Sequence, residues 1–296
     1  ISVRPICPAI RNLLLIPLFV SLCSCRQITP LSQKTPHEGV TPLHELSAEQ
    51  LHVFLKGHSG DWRKDTAENR GVPPPPIQKP YPLDAKLIDL ARPENIKLGN
   101  APLAGIINQR RSRREFTGDP LTGEELSFLL WNTQGISKIE KDSDGKIMNH
   151  FRTVPSGGSK HPFETYLIIN RVKGIKPGLY RFLPIEHKLL VIREAGDFPQ
   201  KISAACYGQK HVSEAAVVFV WSVIPARTEW HYGCVAPKLI AVDAGHVCQN
   251  LYLSAESIGA GACAMLGYNQ TKLDKLINVD GKDEFAFYLA PVGKIK

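Results

Sequence analysis

Ala-Ala-Val-Val-Phe-Val-Trp-Ser-Val, residues 215–223, is apolar on both of its faces. A strand solvated on one side alternates apolar and polar positions, so an almost unbroken run reads as a central strand covered on both faces. Around it lie further strand candidates at 165–169 (Thr-Tyr-Leu-Ile-Ile), 178–182, 188–193 and 285–291. Helical patterns stand between them. One runs through Leu103, Ile106 and Ile107, and the next opens on Thr122 and Glu125 at capping-box spacing. The face of that second helix is Leu126, Leu129, Leu130 and Thr133, spaced i, i+3, i+4, i+7. A long helix is predicted over 237–258, with Ile240, Ala244, Val247, Leu251 and Ile258 along one side, and a short one over 270–278. The mixture contains neither regular βαβ repeats nor an apparent internal repeat.

Two stretches beside this frame carry chemistry. Gln-Arg-Arg-Ser-Arg-Arg-Glu-Phe (109–116) gathers Arg110, Arg111, Arg113 and Arg114 around Ser112. Arginine stays charged at any working pH and offers forked donors to phosphate oxygens. A helix end complemented by cations accounts for one or two of these; four around a serine point to an anion. Val-Pro-Ser-Gly-Gly-Ser-Lys-His-Pro-Phe-Glu (154–164) is a small-residue turn running into a strand. Its Gly-Gly pair lets a planar ligand lie against bare backbone, although the same residues also suit a plain loop. A glycine-containing turn at 264–268 (Ala-Met-Leu-Gly-Tyr) reads alone as a helix-to-helix loop. A phosphorylated, ring-bearing cofactor needs both the arginines and the bare turn, and flavin mononucleotide (FMN) is the leading candidate.

Composition bounds the alternatives. The 296 residues carry a formal charge of +8 with 43% hydrophobic content, ordinary for a globular chain. The basic residues are spread out apart from 110–114, and no nucleic-acid-binding signature accompanies them. The seven cysteines form no C-x-x-C pair, and His150, His187 and His211 have no partner at metal spacing, so no metal site is read. His246 and Asp243, at i, i+3, suit a local hydrogen bond. Gly-x-Ser-x-Gly and P-loop signatures are absent.

At the N-terminus, residues 1–25 read as an export signal: Arg4 and Arg11 precede an apolar run from Leu13 to Leu22, too short to span a bilayer. Leu-Cys-Ser-Cys at 22–25 resembles the bacterial lipoprotein box, which makes Cys25 the expected lipid-modified residue and the membrane of the cell envelope the expected location. If that signal is no export signal, the expected location is the cytoplasm. Residues 26–100 read as a proline-rich tether and arm, with Val72 and Pro73 to Pro76 as a stiff spacer and apolar residues at 83–90 able to pack on the body. The body is expected from 101 to 296.

In order, the stretches 109–116, 126–136, 152–164, 243–259 and the Leu-Gly-Tyr turn at 266–268 resemble the nitroreductase superfamily, specifically its SagB/ThcOx-type dehydrogenase branch. The resemblance covers about 102–296. It implies an α+β fold with a central, mostly antiparallel sheet flanked by helices, a homodimer, and FMN in clefts at the dimer interface. It further implies that Arg110, Arg111, Ser112 and Arg114 contact the phosphate and ribityl chain, with Lys294 as a further basic contact. The turn from Pro155 through Ser156, Gly157 and Gly158 to Ser159 would lie under the isoalloxazine ring, and Met265, Leu266 and Gly267 would face its N5 side. The helix over 237–258 would form much of the dimer core. The implied activity is hydride transfer through flavin N5 from a donor, commonly NAD(P)H, to a small organic acceptor. Branch members acting on peptides use a Lys-Tyr pair; the matching place here is His231-Tyr232, which departs from that pattern and leaves peptide chemistry in doubt. A flavin dehydrogenase of natural products and a membrane-tethered flavin-binding module without turnover are the alternatives. Nicotinamides are scarce outside the cytoplasm, so an exported enzyme would call for another donor.

Overall fold

The structure, a computed structural model, describes residues 45–56, 65–145 and 147–296. The expected signal, Cys25 and the first part of the expected tether lie outside the described residues. The chain divides into two compact units, 1–50 and 51–296. Of the first, residues 45–50 are described; Ser47 and Gln50 exchange backbone-to-side-chain hydrogen bonds at the opening of α1 (Ala48–Leu55).

The second unit continues with β1 (Leu87–Asp89), α2 (Leu103–Gln109), α3 (Gly123–Gln134), β2 (Ile136–Lys141), β3 (Ile147–Arg152), β4 (Phe163–Ile169), β5 (Gly178–Leu183) and β6 (Lys188–Glu194). Then come α4 (Phe198–Ala205), α5 (Lys210–Glu214), β7 (Val217–Val223), α6 (Ala226–Tyr232), α7 (Ala236–Glu256), β8 (Ala260–Ala262), α8 (Gln270–Ile277) and β9 (Phe285–Lys294). Seven strands form one sheet in the order β1-β6-β5-β4-β7-β9-β8, and every named pair in it is antiparallel. The architecture is α+β.

β7 lies inside the sheet between β4 and β9, with all seven residues buried. Its side chains alternate as a pleated strand requires. Phe219 and Trp221 point into the core shared with α3 and α7, while Val218 and Val220 point into a second core with α4 and α8. The first core takes Leu126, Leu129 and Leu130 of α3 and Val247 and Leu251 of α7; the second takes Phe198, Ile202, Leu273 and Ile277. Each of these side chains contributes about 1.5–3 kcal/mol by leaving water. α3 starts where the capping box is: the Thr122 hydroxyl accepts from the Glu125 amide, and the Glu125 carboxylate accepts from the Thr122 amide.

The short elements α1, α4, α5, α6, β1 and β8 are not among the predicted ones, and three further features differ from the pattern reading. The hairpin β2–β3 is extra; its lysines, aspartates and single apolar positions give no clear period, and its ladder rather than a core specifies it. The last strand runs on to Lys294, because Lys294 pairs with Ala260 of β8 at the sheet edge. The described prolines do not hang free. Arg227 Nε donates to the Pro76 carbonyl, Arg152 Nη2 to that of Ile77, and Arg181 Nη2 to those of Lys79 and Pro80. The segment straps down over buried guanidiniums with its carbonyls, and the Lys79 amide donates to Glu164 beside them.

Candidate active site

α2 ends at Arg110, whose backbone N–H closes the last turn on the Ile106 carbonyl. The chain then runs extended beside β8: Ser112 forms a parallel bridge with Ala262, and the Arg113 amide donates to the Ala262 carbonyl. Side chains alternate along such a segment. Ser112 turns to Tyr252 of α7, with 3.1 Å between the two hydroxyls. Arg113 packs over Gly261 and is neutralised by Glu256 at 3.0 Å, so it is structural. The Arg110 guanidinium lies over the Tyr252 ring, 5.3 Å from its centre, in a cation–π contact. Arg114 is exposed, and its charge lowers the Cys263 thiol against the larger upward effect of burial. Arg111 folds back onto the carbonyls of Asn108 and Arg110.

The same tyrosine brings in the second turn. Tyr252 Oη accepts from the Ala264 amide at 2.8 Å, which sets Met265, Leu266 and Gly267 beside the arginine corner. Met265 bridges Leu289 of β9, Gly267 accepts from Gln209, and Leu266 is 68% exposed. Lys294 is placed differently. Its ammonium is held by the Glu125 carboxylate and the Ile258 carbonyl, so its charge is already met.

The Pro155–Ser159 turn is anchored at the other part of α7. The buried Asp243 accepts from Ser156 Oγ at 2.6 Å and from the Gly157 amide at 3.2 Å. Burial raises the Asp243 carboxyl above the usual aspartate range, against the pull of those two hydrogen bonds. Asp243 precedes Tyr252 by nine residues on one helix, which separates turn and corner by about 13 Å along its axis. Gly158 sits at φ 54°, ψ 27°, a left-handed conformation open to glycine at little cost. A Cβ there would stand 2.8 Å from Tyr232 Oη, so the phenol lies directly on the turn. His231 packs edge-on to Tyr232 with centroids 4.6 Å apart, and its Nδ1 meets Glu68 Oε2 at 2.5 Å. Glu68 was invisible to local pattern reading because it lies 163 positions away, ahead of the strap.

Below the strap is a charged core that motif reading also missed. Arg152, Arg181 and Arg227 are all at most 7% exposed, and they surround Glu164. Glu164 pairs with Arg227 at 2.5 Å and lies 3.8 Å from Arg181. Arg152 is bound by the Gln134 side-chain carbonyl, and burial with Arg227 nearby lowers it to about 9. His150 and His161 stack beside this group with centroids 5.0 Å apart; burial, then the charge of Arg152, lowers them to about 3 and about 2. The signal in the sequence was a charge inside each of two apolar strands, Glu164 in Phe-Glu-Thr-Tyr and Arg181 in Leu-Tyr-Arg-Phe. The four body cysteines, Cys206, Cys234, Cys248 and Cys263, are free thiols.

Among the described residues no His, Cys, Asp or Glu group is arranged to hold a metal ion, and no helix is long and apolar enough to cross a membrane. The donor set at the corner fits a phosphate. Neither Arg110 nor Arg114 has a carboxylate partner among the described residues, and a serine hydroxyl stands between them.

The fold and this arrangement belong to a known class. The family model described as "Nitroreductase family" matches residues 107–294, and the chain belongs to that family, whose members are FMN-dependent oxidoreductases. Three relatives described as putative nitroreductases stand out. A protein of Methanocaldococcus jannaschii is 29% identical over 211 residues, covering 71% of this chain and 98% of its own. A solved structure from Ralstonia eutropha has a TM-score of 0.57 at 25% identity, covering 73% of this chain and 92% of its own. Another from Anabaena variabilis has a TM-score of 0.59 at 22% identity, covering 74% of this chain but 44% of the longer Anabaena chain.

Proposed function

We propose that the protein is a homodimeric reductase that moves a hydride equivalent from NAD(P)H to a small organic acceptor, with FMN held in the cleft between protomers. The observation that carries this reading is the pair of guanidiniums, Arg110 and Arg114, left without carboxylates around Ser112 among the described residues. They hold the phosphate, with Arg111 adding charge at the rim. Lys294 stays outside this set because Glu125 already neutralises it. When bound, FMN supplies two-electron chemistry at its N5 and accepts or yields hydride there.

The chain does the positioning. Pro155, Ser156, Gly157, Gly158 and Ser159 offer a flat backbone for a ring, fixed by Asp243. Met265, Leu266 and Gly267 close the ring's edge from beside Tyr252, and the exposed Leu266 helps exclude water. Tyr232 Oη, lying on Gly158, is placed to give a proton to an acceptor, while Glu68 orients His231 behind it. The outward stripe of α7, including Ala241, Val242, Gly245 and Gln249, is exposed, as a helix packing against its counterpart in a second protomer requires.

A spectrum of the purified protein should show bound flavin, bleached by NADPH under anaerobic conditions. Arg110→Ala with Arg114→Ala should lose the flavin while the fold persists; full occupancy in that variant would refute the phosphate assignment. Flavin inert to every donor and acceptor would instead favour a binding module without turnover.

A further inference from the structure

A cavity of about 960 Å³ lies under the proline strap, walled by Pro76, Tyr81, Met148, His150, Arg227 and Trp230. It reaches the Gly-Gly turn through Ser159 and Lys160. We propose that this cavity binds a small molecule with an aromatic or apolar body and a carboxylate at its inner end, received by Arg227 and His150. The inference needs no cofactor and so goes beyond the flavin reading.

Three observations support it. First, the buried charge is unbalanced: Arg152, Arg181 and Arg227 gather around one carboxylate, that of Glu164. Other acids nearby are engaged: Glu284 with Lys79, Glu68 with His231, and the half-buried Glu186 with Gln78 and Tyr81. Strap carbonyls solvate the guanidiniums but carry no compensating charge. An excess of buried cations is costly unless an anion joins them.

Second, two nitrogens on cavity-wall residues are buried without a partner among the described residues, Arg227 Nη1 and His150 Nε2, in residues each only 4% exposed. Buried polar groups are almost always hydrogen-bonded, so each orphan calls for a partner; Arg227 Nη1 needs an acceptor, and so does His150 in its Nε2–H tautomer. They are close enough that the charge of Arg227 acts on His150. The remaining Arg227 nitrogens are spent on Pro76 and Glu164, which leaves one donor from each residue for the two oxygens of a carboxylate. Third, Pro76, Tyr81, Met148 and Trp230 give the cavity an apolar and aromatic body, with Glu68, Gln78, Lys79 and Asn149 as further polar groups on its wall. Lys160 lies 4.8 Å above the Trp230 ring and adds a second positive charge toward the turn.

The test is calorimetric titration of the purified, flavin-loaded protein with 2-naphthoate and, separately, 2-naphthamide. The acid should bind roughly tenfold or more tightly than the amide, because a donor-lined site discriminates by its unpaired groups. Met148 is 66% exposed, so Met148→Trp should fill the cavity mouth without disturbing the core, weakening naphthoate roughly tenfold at an unchanged unfolding midpoint. Arg227→Gln should abolish the preference for the acid; should that variant fail to fold, the acid–amide comparison and Met148→Trp decide. Equal affinity for acid and amide, no binding of either at millimolar concentration, or indifference to Met148→Trp overturns the proposal.

Discussion

Adding one methyl group at Gly158 separates two roles that the turn plays. The backbone at φ 54°, ψ 27° is left-handed, and alanine there costs about 1–2 kcal/mol in conformation. Alanine also restricts the unfolded chain, which returns about 0.4–1 kcal/mol, so a net loss on the order of 1 kcal/mol is expected. The new Cβ would stand 2.8 Å from Tyr232 Oη, with the next ring atoms at 3.3 and 3.4 Å. That hydroxyl is the far end of a half-buried side chain, so it yields instead of transmitting strain to the fold. The stability loss should therefore be nearly the same in a Tyr232→Phe background, with coupling below about 0.5 kcal/mol. Activity should behave oppositely. A displaced Tyr232 cannot serve its proton role, so Gly158→Ala should lower kcat/KM by a factor similar to Tyr232→Phe, roughly a hundredfold if the phenol is the proton donor. The double variant should be little worse than either single one. Urea unfolding and anaerobic NADPH-dependent reduction of a nitroaromatic acceptor measure the two quantities. Unchanged kcat/KM in Gly158→Ala, or losses that multiply in the double variant, would refute the reasoning.

Further outcomes follow from the anchors. Asp243→Ala removes the acceptor for Ser156 and Gly157 and should cost about 2–4 kcal/mol with weakened flavin retention; a loss under about 0.5 kcal/mol in urea would show that the turn does not depend on it. Asp243→Asn should be milder, because its amide oxygen can serve Gly157 and its NH2 can donate to Ser156. The Asp243 carboxyl is raised by burial, so its contribution is fully present below the unfolded value of about 3.9 and is lost as pH rises through the folded value; in Asp243→Asn that loss should vanish from the stability–pH curve. His150 and His161 are lowered to about 3 and about 2, chiefly by burial. Their contribution is present above the unfolded value of about 6.5 and lost as pH falls toward the folded values, up to about 3 kcal/mol per histidine by pH 4. His150→Gln should flatten that acid limb in urea titrations at pH 7 and pH 4.5, and an unchanged slope would contradict the burial of a neutral imidazole.

Much of this protein was legible from local pattern. The apolar run at 217–223, the α3 face and its capping box, and the long α7 depend on neighbours within a few residues, so period and cap residues determine them. The order of the arginine, Gly-Gly and Leu-Gly-Tyr stretches pointed to the family to which the matched span, residues 107–294, belongs. The resemblance sets Arg113 apart from its neighbours, but residue pattern alone does not show which basic side chains are already paired. Arg113 and Lys294 look equivalent to Arg110 and Arg114 in sequence, yet strand alternation and the carboxylates of Glu256 and Glu125 consume them. The same holds for the strap over Arg152, Arg181 and Arg227: whether prolines form a spacer or a lid depends on what lies beneath them. Short-range periodicity records how each segment folds; the pairing of charges more than a hundred residues apart is decided only when the sheet brings them together.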